Sequence, residues 1–155
     1  MTETGAPHST AKIAGRPIHP MTISLPITLL VITFASDIAF YVTGAASFAT
    51  VSLYALGFGI VFAAIAGVFG FIDYFGSARI RSLRAANIHM IGNVTILVLS
   101  VINFLIRGGS ETQVPLAGLI LSIIVFIAIH VTGWMGWTMV YRHGVGVGDD
   151  ARKAI

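Results

Sequence analysis

Residues Met21–Thr43 read MTISLPITLLVITFASDIAFYVT: one proline, one charge, and otherwise apolar, aromatic or small hydroxyl side chains. A helix needs about 20 such residues to cross the hydrocarbon core of a bilayer. The run is too long for the core of a secretory signal and it contains Asp37, so it reads as a retained membrane span. Three further runs have the same character: Phe48–Phe75, Ala85–Ile106 and Val114–Tyr141. Together the four use nearly the whole chain and leave no room for a soluble domain. The expected organisation is a flexible cytoplasmic tail at 1–17, a four-span membrane domain at 18–147 and a second cytoplasmic tail at 148–155.

Composition agrees with this. Of 155 residues, 56% are hydrophobic and 10% charged, with a mean hydropathy of +0.92. A soluble domain carries roughly 25% charged residues. Cysteine is absent, which excludes disulfides, thiolate catalysis, cysteine-ligated zinc and iron–sulfur clusters held by this chain.

The formal charge is +3, but the basic residues follow topology rather than forming a nucleic-acid-binding stripe. Lys12 and Arg16 precede span one; Arg79, Arg81 and Arg84 lie between spans two and three; Arg142, Arg152 and Lys153 follow span four. Eight of the nine therefore fall on one side, and Arg107 alone on the other. The positive-inside rule places both termini in the cytoplasm. The links GAAS (44–47) and GGSETQ (108–113) are short, so spans one and two form one antiparallel hairpin and spans three and four another. The central link GSARIRSLR (76–84) carries a serine able to cap a helix.

Matching spacings recur in the two hairpins. Asp37 follows His19 by eighteen residues and Arg107 follows His89 by eighteen. GVFGFIDYFG at the end of span two matches GWMGWTMVYRHG at the end of span four, each with Gly-x-x-Gly: Gly67 and Gly70, Gly133 and Gly136. The offset is 70 for the histidines and 66 for the glycines. One reading is duplication, with an axis along the membrane normal as in parallel-repeat transporters. The other is coincidence, since glycine is common in membrane helices, where small residues let helices approach. No chemistry is assigned to these glycines.

Ionisable side chains in lipid each need an account. Asp37 and Arg107 stand at matching distances from their histidines, and a structural ion pair explains both. Near the opposite face each span contributes one titratable group: His19, Asp73, His89 and His143. Asn93, Ser100 and Asn103 continue a stripe along span three. Converging imidazoles beside a carboxylate suit a metal ion or a haem iron; plain interfacial hydrogen bonding is the alternative. His19 lies in RPIHPM (16–21) between two prolines. Pro20 suits the first position of a helix, where its missing N–H costs nothing, so it fixes the start of span one and His19 beside it. The expected site is built on His19 and His89, with His143 as a reserve ligand and Asp73 as ligand or as the carboxylate that orients an imidazole. His130 lies deeper, about 16 Å in at 1.5 Å per residue. It either ligates a cofactor at the bilayer centre or donates to a backbone carbonyl. Trp134, Trp137 and Tyr141 read as an interfacial aromatic belt. HGVGVGDD (143–150) has glycines but no preceding strand, so a phosphate-loop reading fails.

IHPMTISLP, the aspartate late in span one, GVFGFIDYF, NIHMIGN, FLIR and GWMGWTMVYRHGVGV together resemble a bacterial family of four-span membrane proteins, domain of unknown function 2231. The resemblance covers about 18–147. The family pattern maps onto His19, Pro20, Pro26, Asp37, Asp73, His89, Asn93, Arg107, Gly133, Gly136, Tyr141, His143 and Gly144. His130 lies outside it. The family usually shows two adjacent glycines where this chain has Gly136-Trp137. Relatives are sometimes fused to Rieske iron–sulfur or cytochrome c domains, which implies membrane electron transfer by association and a multi-pass place in the bacterial inner (cytoplasmic) membrane; no activity is established for the family.

Three functions follow as expectations. The first is an all-α four-helix bundle that holds haem b or another metal centre and passes electrons to or from a quinone or a redox partner protein. The second is a cofactor-free structural or assembly subunit of a membrane complex. The third is proton-coupled transport through Asp73 and the histidines, for which four spans are few unless the chain forms a homo-oligomer. Lipid is a partner in every case, nucleic acid in none, and whether the chain is an enzyme stays open.

Overall fold

A computed structural model describes residues 9–14 and 16–147. The sequence tails at 1–8 and 148–155, with Arg152 and Lys153, lie outside the described residues. Lipid offers no hydrogen bonds, so a spanning backbone must satisfy itself, and helices do so. Four do here. The first is split into α1 (Ile18–Thr22) and α2 (Ser24–Thr43); then come α3 (Ala46–Gly76), a one-turn α4 (Ala78–Arg81), α5 (Arg84–Arg107) and α6 (Leu116–His143). All four are long and apolar enough to cross a membrane.

The break between α1 and α2 has a local cause. Pro26 has no N–H to return to Thr22, four residues back. The path still continues, because the Ile23 amide donates to His19 and the Ile27 amide to Ile23. The helix begins at Ile18 with Pro17 as its extended N-cap, two residues earlier than Pro20 suggested. Pro20 falls in the first turn, where amides have no helical partner in any case. At the central link, Ser77 caps α4 by accepting from the Ile80 amide.

Each hairpin turn opens on a glycine in the left-handed region, Gly44 at φ 70° and Gly108 at φ 56°, the usual device for ending a helix. α2 packs on α3 and α5 on α6; α3 also meets α5, and α2 meets α6. The helices thus stand in a square, with α2 opposite α5 and α3 opposite α6. Leu30, Leu56, Ile96, Val125 and Ile129 fill its middle. Large apolar side chains such as Ile65, Val98 and Ile127 cover the outside, as lipid requires.

Part of the N-terminal stretch expected as a loose tail is structured. Strands β1 (Lys12–Ile13) and β2 (Arg16–Pro17) pair antiparallel. Ser9 and Ala11 are buried, held against α3 by a side chain considered below.

Candidate functional site

Two polar centres lie on the bundle axis, one on each side of the apolar middle. Toward the end that carries the 44–45 and 108–115 loops, Asp37 and Arg107 meet across the square. Arg107 donates Nη1 to Oδ1 at 3.0 Å and Nη2 to Oδ2 at 2.6 Å, and both side chains are fully buried. Ser52 and Ser122, on the other diagonal, each donate a hydroxyl to this carboxylate. Arg107 donates in turn to Ser52 at 2.8 Å, to Ser122 at 3.4 Å and, through Nε, to Asn103 Oδ1 at 2.9 Å. Asn103 Nδ2 reaches the Gly118 carbonyl and Ser122, both at 3.1 Å. Both charges are therefore paired and hydrogen-bonded, the condition under which a buried ion pair is tolerated. Ser52 and Ser122 are also 70 apart.

Toward the end that carries α4, the diagonal again brings two equivalent residues together. His19 and His89 have ring centres 6.1 Å apart, with planes at 88°. His19 Nδ1 lies 2.9 Å from the Ala66 carbonyl of α3. His89 Nδ1 lies 2.8 Å from the Thr132 carbonyl of α6. A carbonyl only accepts, so each Nδ1 carries the proton, and in the neutral ring Nε2 then keeps the lone pair.

The glycines explain why those carbonyls are reachable. A helical carbonyl at position i lies beside the side chain at i+4, and at i+4 from Ala66 and Thr132 stand Gly70 and Gly136. A Cβ on Gly70 would lie 3.2 Å from His19 Nδ1 and Cε1; one on Gly136 would lie 3.1 Å from His89 Cε1. Both glycines are ring seats, a task the sequence reading did not assign. The signal was present in their common offset of 66, which Ala66 and Thr132 share.

Around the two rings runs a mainly apolar cavity of about 400 Å³, floored by Leu30, Ile96 and Ile129. Asn93, Met90 and Met139 also line it, and Asp73 is the one carboxylate among its described lining residues. The ring-orienting task expected of Asp73 is taken by the two backbone carbonyls. Its Oδ1 instead accepts from the amides of Thr10 at 2.7 Å and Ala11 at 2.8 Å, and from the Ser9 hydroxyl at 2.8 Å. This is what packs the N-terminal segment.

The other two described histidines stand apart from the cavity. His143 is exposed at the last residue of α6. His130 is exposed on the outer side of α6, its Nδ1 2.8 Å from the Phe126 carbonyl of its own helix. It takes the backbone partner that was one of its two expected uses. Among the described residues no group of three or more His, Asp or Glu is placed to hold a metal ion.

No curated protein and no solved structure matches the chain. The model of the family described as a predicted membrane protein, DUF2231, matches residues 15–149, and the chain belongs to that family.

Proposed function

We propose that this chain is a membrane redox protein whose centre, a haem iron or a bare metal ion, is held by Nε2 of His19 and Nε2 of His89. The observation that carries the reading is the fixed imidazole pair: two rings on opposite helices, each tied through Nδ1 to a carbonyl. A metal-bound histidine commonly donates its other ring N–H to a backbone carbonyl or carboxylate, which sets its tautomer and raises its basicity. The spacing also fits. Two imidazoles that share one ion at about 2.0–2.1 Å per bond have ring centres roughly 5–6.5 Å apart, and these stand at 6.1 Å. Such a centre would take up and release an electron; the chain's own residues hold it, orient it and shield it in an apolar cavity. A quinone or a membrane redox protein is the matching partner class. The basic residues at the site's end of the bundle support a topology with that end and both termini in the cytoplasm, and with it a place for the chain in the bacterial inner membrane.

Protein purified in mild detergent tests this. Wild type, His19→Ala and His89→Ala are compared for visible spectrum, haem and metal per chain. The expected result is one centre per wild-type chain and loss in both variants. Equal occupancy in all three, or none in wild type, overturns the reading. It would then favour a cofactor-free structural subunit, for which the buried Asp37–Arg107 network is the supporting observation.

A further inference from the structure

We infer that the centre between His19 and His89 is a site for monovalent copper, completed by the thioethers of Met90 and Met139; this rests on the reading that the imidazole pair holds a metal. Three observations converge on a soft ion of low charge.

The first is the count of strong donors. Zinc takes three or four protein ligands from Cys, His, Asp and Glu, and here only two imidazoles come together, with no third such group among the described residues. A site with two strong donors needs its remaining ligands from another chemistry.

The second is what stands beside the pair. Met90 lines the cavity from the helix that carries His89, and Met139 lies three residues beyond Gly136, the glycine on which the His89 ring rests. Residues three apart share a helix face, so Met139 is one turn from that seat, and both methionines line the cavity. Methionine is unbranched and adaptable, so its sulfur can turn onto an ion in a cavity roomier than the ion itself. Thioether donors select Cu(I) over harder ions.

The third is charge. Imidazole, thioether and amide are neutral donors. Asp73 is the only acidic side chain among the described lining residues, and none of these is Lys or Arg. One carboxylate balances one positive charge; a divalent ion would leave an excess charge in an apolar cavity, which is costly.

The test uses the whole chain in detergent, free of oxygen. Cu(I) is titrated against a chromophoric Cu(I) chelator, with zinc ion and haem as parallel probes, and X-ray absorption reads the ligands. The expected result is one Cu(I) per chain with nitrogen and sulfur scattering. His19→Ala and His89→Ala should abolish binding. The Met90→Leu/Met139→Leu double variant conserves volume; it should keep its helical circular dichroism, lose the sulfur signal and bind at least about tenfold more weakly, the low end for loss of a metal's supporting groups. A wild type that takes haem but not Cu(I) overturns the copper assignment and leaves the redox reading standing. A wild type that takes neither overturns both. Cu(I) bound equally well by the double variant, with nitrogen scattering alone, removes the methionines and with them the inference.

Discussion

Asp37 and Arg107 hold equivalent places, 70 residues apart, in the two hairpins, and they bind each other across the bundle axis with their side chains fully buried. Ser52 and Ser122, also 70 apart, each touch both members of the pair. Asp37→Ala and Arg107→Ala should each cost about 3–5 kcal/mol, because each leaves an unpaired buried charge. The double alanine variant should lose less than the sum. The exchange Asp37→Arg with Arg107→Asp should recover more than half of either loss, since the serines can serve the pair in either orientation. Thermal unfolding in detergent measures all four variants. Additive losses, or an exchange no better than the single variants, would contradict the equivalence of the two hairpins.

The basic residues gathered at the end that carries α4 predict that this end faces the cytoplasm. A periplasm-sensitive reporter fused after residue 45 should be active, and one fused after the C-terminus inactive. Equal behaviour at both positions would break the four-span order. The reverse pattern would turn the molecule over and put the imidazole cavity on the outside.

Asp73 is the anchor of the N-terminal segment. Its Oδ1 accepts two amides and two hydroxyls from residues 9–11, and hydrogen bonds to a charged acceptor are worth about 1.5–3 kcal/mol each. Asp73→Ala should free that segment while the four long helices stay formed. Amide hydrogen exchange at Thr10 and Ala11 should then quicken at least about tenfold, the equivalent of about 1.4 kcal/mol. Unchanged exchange would show that the segment is held by something else.

What the sequence disclosed and what it hid follow from what carries a letter. Four spans were legible because lipid demands a run of apolar residues for each crossing, and the ends of the helices observed differ from those of the runs by three residues at most. The offset of 70 put His19 beside His89 and Asp37 beside Arg107 in register. The nearest partners of the imidazoles were not legible, because they are backbone carbonyls, which every residue has. What marks the two that are used is a missing side chain one turn further on, at Gly70 and Gly136, and glycine in a membrane helix reads first as packing. The anchoring of residues 9–11 was hidden for a related reason: a short polar segment has no periodicity, and two of its four bonds to Asp73 come from main-chain amides. Pro17 and Pro20 framed His19 as expected, but the helix could start before Pro20 because its first turn needs no amide donor.

The two Gly-x-x-Gly motifs separate packing from ring seating within a single turn of helix. A Cβ on Gly67 or Gly133 meets nothing within 4 Å, whereas one on Gly70 or Gly136 presses on an imidazole at 3.1–3.2 Å. Alanine is favoured over glycine inside a helix by about 1 kcal/mol. Gly67→Ala and Gly133→Ala should therefore be neutral or stabilising by up to that amount. At Gly70 and Gly136 the same gain is opposed: the ring must move by a few tenths of an ångström, and its hydrogen bond to the carbonyl, worth about 0.5–1.5 kcal/mol, is stretched or lost. Those variants should come out about 1–2 kcal/mol less stable than their neighbours three residues away. They should also differ in kind. Nitrogen-15 resonances of His19 and His89 report which ring nitrogen carries the proton. Gly70→Ala should disturb His19 alone and Gly136→Ala His89 alone, with Nδ1 protonation no longer fixed, while Gly67→Ala and Gly133→Ala leave both unchanged. If all four variants behave alike, the second glycine of each motif is a packing residue, and the fixed Nε2 lone pairs on which the proposed metal site depends have no structural cause.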